Sequence, residues 1–308
     1  MNAIVVEDLT KYYNGFLAVD HINFSVKWGE LFGFLGPNGA GKTTTVRMLC
    51  GLTRISEGDA RVAGYSPLRE LKLVKKSIGL VPDVSNLYSE LTCQENLLFA
   101  GEMYGLRKEE RKKRTRELLE FFGLAEKKDS KFGQLSKGQK RRLTIAAALI
   151  HNPKILFLDE PTIGLDVMSR RMIWNMIREL NEKGLTIFIT THNIYEAFNL
   201  CDRIAVINKG KIIAVDSPSE LKRKFSGSEV LEISFTGELS VEEVSQISGV
   251  VKASYSGGSL KLVVSDPLLV IEEIARKAKS KKVSLNYVNL RGADAEEVFL
   301  RIIGDKNA

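Results

Sequence analysis

A chain of 308 residues, 44% hydrophobic and 27% charged, is long enough for one large or two moderate cores. A mean hydropathy of -0.08 and the lack of any long uncharged apolar stretch argue against a membrane span. A formal net charge of +7 admits nucleic acid or an anionic membrane as partner, so the distribution of charge has to decide.

The N-terminal stretch "MNAIVVEDLTKYY" carries Glu7 and Asp8 and shows no basic-then-apolar signal pattern, so a cytosolic protein is expected. Cys50, Cys93 and Cys201 are odd in number and far apart, which favours buried small residues over a disulfide framework or a metal knuckle. Up to about residue 220, nearly continuous apolar runs alternate with helical patterns. "LFGFL" (31–35), "KILFLDE" (154–160) and "LTIFITT" (185–191) have the texture of strands buried on both faces. Helices are expected from Gly41, from Ser169 and from Ile194. In the second, Ile173, Met176, Ile177 and Leu180 repeat at helical spacing and read as a core stripe. Strand followed by helix implies a parallel sheet with right-handed crossovers.

"GPNGAGKTTT" follows the first of these strands and fits GxxxxGK[ST] at Gly36, Gly41, Lys42 and Thr43. Placed between strand and helix, Gly36, Pro37, Asn38, Gly39, Ala40 and Gly41 can turn successive amides toward phosphate oxygens. The helix N-terminus adds about 0.3–1 kcal/mol per interaction. Lys42 is expected to reach the β- and γ-phosphates, and the Thr43 hydroxyl to ligate Mg²⁺, with Thr44 beside it. These features predict an α/β P-loop NTPase.

Between about residues 84 and 150 the strand signal vanishes and an inserted helical lobe is expected. Its densest basic run, "RKEERKKRTR" from Arg107, is interrupted by Glu109 and Glu110 and leads into "ELLEFF". That pattern reads as a helix with a solvated face, not as an arm tracking phosphates. "QLSKGQKRRLTIAAALIHNPK" then places Ser136 as the N-cap of a long apolar helix. Ser136, Gly138 and that helix start could form a second phosphate cradle; taken alone, an ordinary capped helix fits equally well. In "ILFLDEPT", Asp159 and Glu160 stand at the carboxyl end of a buried strand, where α/β sheets bind ligands. Asp159 suits the Mg²⁺ shell, and Glu160 suits a base acting on attacking water, a role worth about 10²- to 10⁴-fold in rate.

After "SPSELKRKFSGS" the period becomes two. Leu231, Ile233 and Phe235 form one alternating set, and Val251, Ala253 and Tyr255 a second. Leu260, Leu262 and Val264 form a third, and Val283, Leu285 and Tyr287 a fourth. With helices near 240–247 and from Pro267, the order is β-α-β-β-α-β, a small α+β domain of ferredoxin-like type over 225–308, ended by a helix "DAEEVFLRII".

"GPNGAGKTT", "LSKGQ" and "ILFLDEPTIGLD", in this order, resemble the nucleotide-binding subunit of an ATP-binding cassette (ABC) transporter over residues 1–220. The resemblance implies ATP and Mg²⁺ as cofactors and a head-to-tail homodimer. Each ATP then lies between the phosphate loop of one copy and Ser136, Gly138 and Gln139 of the other. It also implies Tyr13 as the aromatic stacked on adenine, with Tyr12 second by register. Leu165 and Asp166 fall in the loop that crosses the dimer interface, and His192 takes the place of the switch histidine at the γ-phosphate. Asp83 stands where the family usually has Gln; it reaches the metal through a water, or it caps the loop beside Pro82. Lys137 replaces a usual glycine.

The function so implied is an ATPase, cytoplasmic and peripheral on the inner face of the membrane, that drives a separate integral-membrane permease. Leu87, Tyr88 and Leu91 are expected to receive the permease's coupling helix. The C-terminal extension resembles subunits of exporters for drugs, lipids or polysaccharides. The alternative is a soluble ABC ATPase acting on nucleic acid or the ribosome. It is disfavoured because residues 44–135 leave no room for a long coiled coil and only one cassette is present.

Overall fold

The computed structural model describes residues 1–225, 229–237, 239–256, 259–281, 283–291 and 295–304. Residues 226–228 at the expected domain boundary, and Asp294 at the expected start of the last helix, lie outside the described residues. The chain divides into two units, Met1–Pro218 and Ser219–Ala308.

The first unit begins with β1 (Asn2–Tyr13), β2 (Phe16–Lys27), β3 (Leu31–Leu35), α1 (Lys42–Leu49) and β4 (Glu57–Val62). Next come α2 (Leu71–Ser77), β5 (Ile78–Val81), α3 (Cys93–Met103), α4 (Lys108–Phe121) and α5 (Lys137–Ala148). It continues with β6 (Ile155–Asp159), α6 (Val167–Glu182), β7 (Thr186–Thr191), α7 (Ile194–Leu200), β8 (Arg203–Asn208) and β9 (Lys211–Asp216). Helix α8 (Pro218–Phe225) follows.

Strands β5-β6-β7-β3-β8-β9 form one sheet in that order, parallel except for the β8–β9 hairpin. Every residue of β3, β6 and β7 is buried, which is why their sequences are apolar without alternation. Leu35 pairs with Thr191, and Asp159 with Thr190, so the carboxyl ends of the three central strands lie side by side. The segments with residues 36–44, with Asp159 and Glu160, and with His192 leave the sheet from that edge.

The sequence pattern did not show the second sheet, antiparallel with order β2-β1-β4. Its β1–β2 turn is Asn14-Gly15, with φ of 47° and 85°, the pair of left-handed residues that a tight hairpin needs. Phe24 on β2 ties this sheet to the parallel one, lying 5.6, 5.5 and 6.0 Å from the rings of Phe32, Phe34 and Phe188. One hydrophobic cluster therefore spans both sheets and α1.

Helix α4 carries the basic run. Charges such as the Glu109–Lys112 pair stand outward, Arg114 turns partly inward to donate to the Leu149 carbonyl, and Thr115, Leu118 and Leu119 are buried. All three cysteines are free and buried.

The second unit contains β10 (Glu229–Thr236), α9 (Val241–Ser245), β11 (Val250–Ser256), β12 (Ser259–Val264), α10 (Pro267–Lys281), β13 (Ser284–Arg291) and α11 (Ala295–Gly304). Its sheet has the antiparallel order β11-β12-β10-β13, the ferredoxin-like arrangement. Leu231, Ile233, Leu260, Leu262 and Val264 form its core with Val270 and Ile274 of α10. Two inward positions expected from period two differ. A register slip between Val250 and Lys252 turns Val250 to the core and leaves Val251 exposed. A slip opposite Phe235 sets Tyr287 against Ser234 and exposes it too.

Candidate active site

The loop after β3 enters α1 through Gly41, whose φ of 106° is left-handed. A Cβ there would stand 2.8 Å from the carbonyl oxygen of Ala18, so only glycine fits. No side chain caps α1, and its first turn holds no acid, which leaves its amides to an external anion. Lys42 is only 5% exposed. Its ammonium donates to the carbonyls of Gly36 and Pro37 at 2.8 and 3.1 Å, and Nζ lies 3.2 Å from Glu160 Oε1.

Across the sheet edge, Asp159 Oδ1 accepts from Thr43 Oγ1 at 3.2 Å and from Thr190 Oγ1 at 2.5 Å. Glu160 has a left-handed φ of 47°, a conformation costing a non-glycine residue about 1–3 kcal/mol. Its amide is held by the Thr190 carbonyl at 3.1 Å and hydroxyl at 3.2 Å. Its Oε2 meets His192 Nδ1 at 2.8 Å. Glu160 is 8% exposed, and its Oε1 is buried with no aligned hydrogen-bond donor, despite the nearby ammonium. A buried carboxylate oxygen left this way suits a further donor such as water.

These groups border a cleft of about 470 Å³ lined by Asn38, Gly39, Gly41, Lys42, Thr43 and Thr44 on one side. Tyr13, Phe16, Asp83 and Glu160 contribute to its other walls. A larger cavity, about 670 Å³ beside Trp28 and Phe121, holds none of these groups. Tyr13 is 41% exposed, with Lys11 Nζ 4.9 Å from its ring centroid, whereas Tyr12 does not line the cleft. Phe16, which the sequence pattern did not single out, presents a second open ring there. Among the described residues no cluster of three His, Cys, Asp or Glu could hold a metal unaided. Thr43 and Asp159 in contact fit Mg²⁺, which takes one or two protein ligands and completes its shell from water and substrate phosphate.

Ser136, Gly138 and Gln139 are placed elsewhere, and none of them lines the cleft of their own chain. Ser136 Oγ accepts from the Gln139 amide at 3.3 Å, and Gln139 Oε1 accepts from the Ser136 amide at 2.9 Å, a complete capping box on α5. Gly138 is pressed on α6, where a Cβ would stand 2.6 Å from Ser169 Oγ. Asp166 caps α6 by accepting from the Ser169 amide at 2.8 Å, and that bond holds its carboxyl below the usual range.

Three positioning groups escaped the sequence pattern. Thr190 carries Asp159. Arg141 donates to four backbone carbonyls around the site. Glu196, buried and pushed up in pKa by burial, accepts from Thr162 Oγ1 at 2.7 Å and Trp174 Nε1 at 2.8 Å.

Residues 19–163 match the family model described as ABC transporter. The linearmycin resistance ATP-binding protein LnrL of Bacillus subtilis (strain 168) is 37% identical over 302 residues, 97% of each chain. The Nod factor export ATP-binding protein I of Rhizobium sp. (strain N33) is 41% identical over 98% of this chain and 97% of its own. Among solved structures, cbiO1 from Clostridium perfringens, part of the ABC transporter complex cbiONQ, superposes with a TM-score of 0.66 at 32% identity. That match covers 72% of this chain and 94% of the other. A dimeric post-hydrolysis state of the ATP-binding cassette MJ0796 bound to ADP and Pi gives 0.64 at 30% identity, over 70% of this chain and 98% of its own.

Proposed function

This chain belongs to the ABC transporter family of ATP-hydrolysing cassettes, and from that premise we propose that it works as a homodimeric motor for export through a separate integral-membrane permease. Relatives that match 97–98% of its length are named for linearmycin resistance and Nod factor export, which supports export over action on nucleic acid. No helix among the described residues is long and apolar enough to cross a membrane, so a permease supplies the path. The groove of Tyr88, Ser89, Glu90, Leu91 and Phe99 is the proposed docking point for it. The chain then sits on the cytoplasmic face of the membrane.

The single observation that carries the mechanism is Glu160, buried between Lys42 and His192 at the mouth of the phosphate loop. Gly36 to Thr44 cradle the triphosphate with backbone amides, and Lys42 turns its ammonium to the β- and γ-phosphates. Tyr13 stacks on the adenine. Thr43 and Asp159 would hold Mg²⁺, and Asp83, on the cleft wall, would contribute through a water. The metal supplies Lewis-acid neutralisation of phosphate charge. Glu160 Oε1 accepts a proton from the attacking water, and His192 keeps the carboxylate oriented through Oε2. Ser136, Gly138 and Gln139 of the second copy close the other side.

Glu160→Gln preserves shape and removes the base. With ATP and Mg²⁺ it is expected to run as a dimer on size-exclusion chromatography, with turnover down at least about 100-fold. A strictly monomeric elution with bound ATP would overturn the sandwich.

A further inference from the structure

Arg141 lies one turn along α5 from Gly138 and is 8% exposed, yet all three of its guanidinium nitrogens are engaged. Nε donates to the Pro161 carbonyl at 2.8 Å and Nη2 to that of Asp159 at 2.6 Å. Nη1 donates to the Pro82 carbonyl at 2.5 Å and reaches that of Asp83 at 3.4 Å. The first two acceptors lie immediately before and after Glu160 in the chain. The other two belong to the loop that carries Asp83.

No carboxylate is within ion-pair distance of the guanidinium among the described residues. Burial brings its pKa down to about 10, against the opposing pull of the Asp83, Asp159, Glu196 and Glu160 charges. Holding a cation on neutral carbonyls alone is a poor way to stabilise a core, and an apolar side chain of equal length would fill the space. What only a guanidinium offers is a rigid plane of donors that meets several segments at once. Here it meets two segments from a third, α5, whose N-terminus is Ser136. Glu160 in turn sits in a backbone conformation that has to be imposed from outside. Thr190 fixes its amide, and Arg141 holds the carbonyls of the residues on either side, Asp159 and Pro161.

We propose that Arg141 is a positioning residue for hydrolysis, a clasp that sets the spacing of the Glu160 turn, the Asp83 loop and the signature helix α5. The inference rests on the assignment of Glu160 as base.

The test compares Arg141→Lys with the parent chain and with Glu160→Gln, measuring steady-state ATPase, affinity for a fluorescent ATP analogue and melting temperature. Lysine keeps the charge and loses the fork. The expected result is a kcat lower by about 10- to 100-fold, the scale on which misplacement of a catalytic group by an ångström acts. KM for ATP and analogue affinity stay within about threefold, as for a residue outside the binding cleft. Should Arg141→Lys fail to fold, Arg141→Met, which removes the buried charge as well, is read by the same split. A parental kcat in the folded variant overturns the clasp, and so does a loss of kcat, affinity and melting temperature in step. Parental turnover by Glu160→Gln would instead sink the base assignment, and leave the Arg141 result to be read separately.

Discussion

Lys42 and Glu160 are each buried and each the other's nearest opposite charge, so neither is tolerable alone in that setting. The same scale contains a pH effect away from the chemistry. His151, at the end of α5, stacks on Tyr104 at 3.6 Å between ring centroids and places Nε2 2.9 Å from the Ile78 carbonyl. Burial lowers its pKa below the ordinary 6.5. The unfolded chain therefore takes up a proton as pH falls through 6.5 while the folded chain stays neutral. The stabilisation is whole above that value and declines below it. Melting temperatures recorded from pH 7.5 down to about pH 5.5 are expected to fall, and His151→Gln to flatten that fall. Residues with a role fixed by their own side chain were readable in the sequence: Lys42, Thr43, Asp159 and Glu160 come from the linear motifs and His192 from the family resemblance, and the structure brings all five together. Arg141 was not, because its acceptors are backbone carbonyls, and a carbonyl leaves no mark on the choice of residue.

Among elements, β7 carries a side chain that meets four other rings. The Phe188 ring lies 6.0, 5.7, 5.5 and 5.4 Å from those of Phe24, Phe32, Phe34 and Phe157, joining the parallel sheet to the antiparallel one. Phe188→Ala is expected to cost about 3–5 kcal/mol in reversible denaturant unfolding. Because Tyr13 and Phe16 hang from the antiparallel sheet, affinity for nucleotide should weaken in a folded fraction of this variant. β3, β6 and β7 were legible because burial on both faces writes an unbroken apolar run. β1 and β2 were not, since their pairing slips at Val6/Leu9 and Leu9/Lys11 and leaves Asp8 and His21 at positive φ. Each slip moves the apolar residues to the other face and destroys the alternation that marks a strand. The same effect misplaced Val251 and Tyr287 in the second unit.

The whole molecule joins a unit that carries the candidate active site to one with its own separate core. The solved cassettes match 70% and 72% of the chain, whereas the export relatives match 97% and 98%. We assign the second unit to dimer contacts or regulation and not to chemistry. Removal of residues 225–308 should leave kcat at saturating ATP within about threefold, as expected for residues that make no transition-state contact. The concentration needed for dimer-dependent activity should rise. A chemical step lost at every protein concentration would contradict this. One small feature of α5 bears on the assembly of two copies. A hydroxyl has lone pairs and a hydrogen, and at Ser136 a lone pair faces inward to the amide of Gln139. Its hydrogen is thereby turned away from the helix it begins. In the proposed sandwich, end cap and docking donor are two sides of a single oxygen, and losing the first would also scatter the aim of the second.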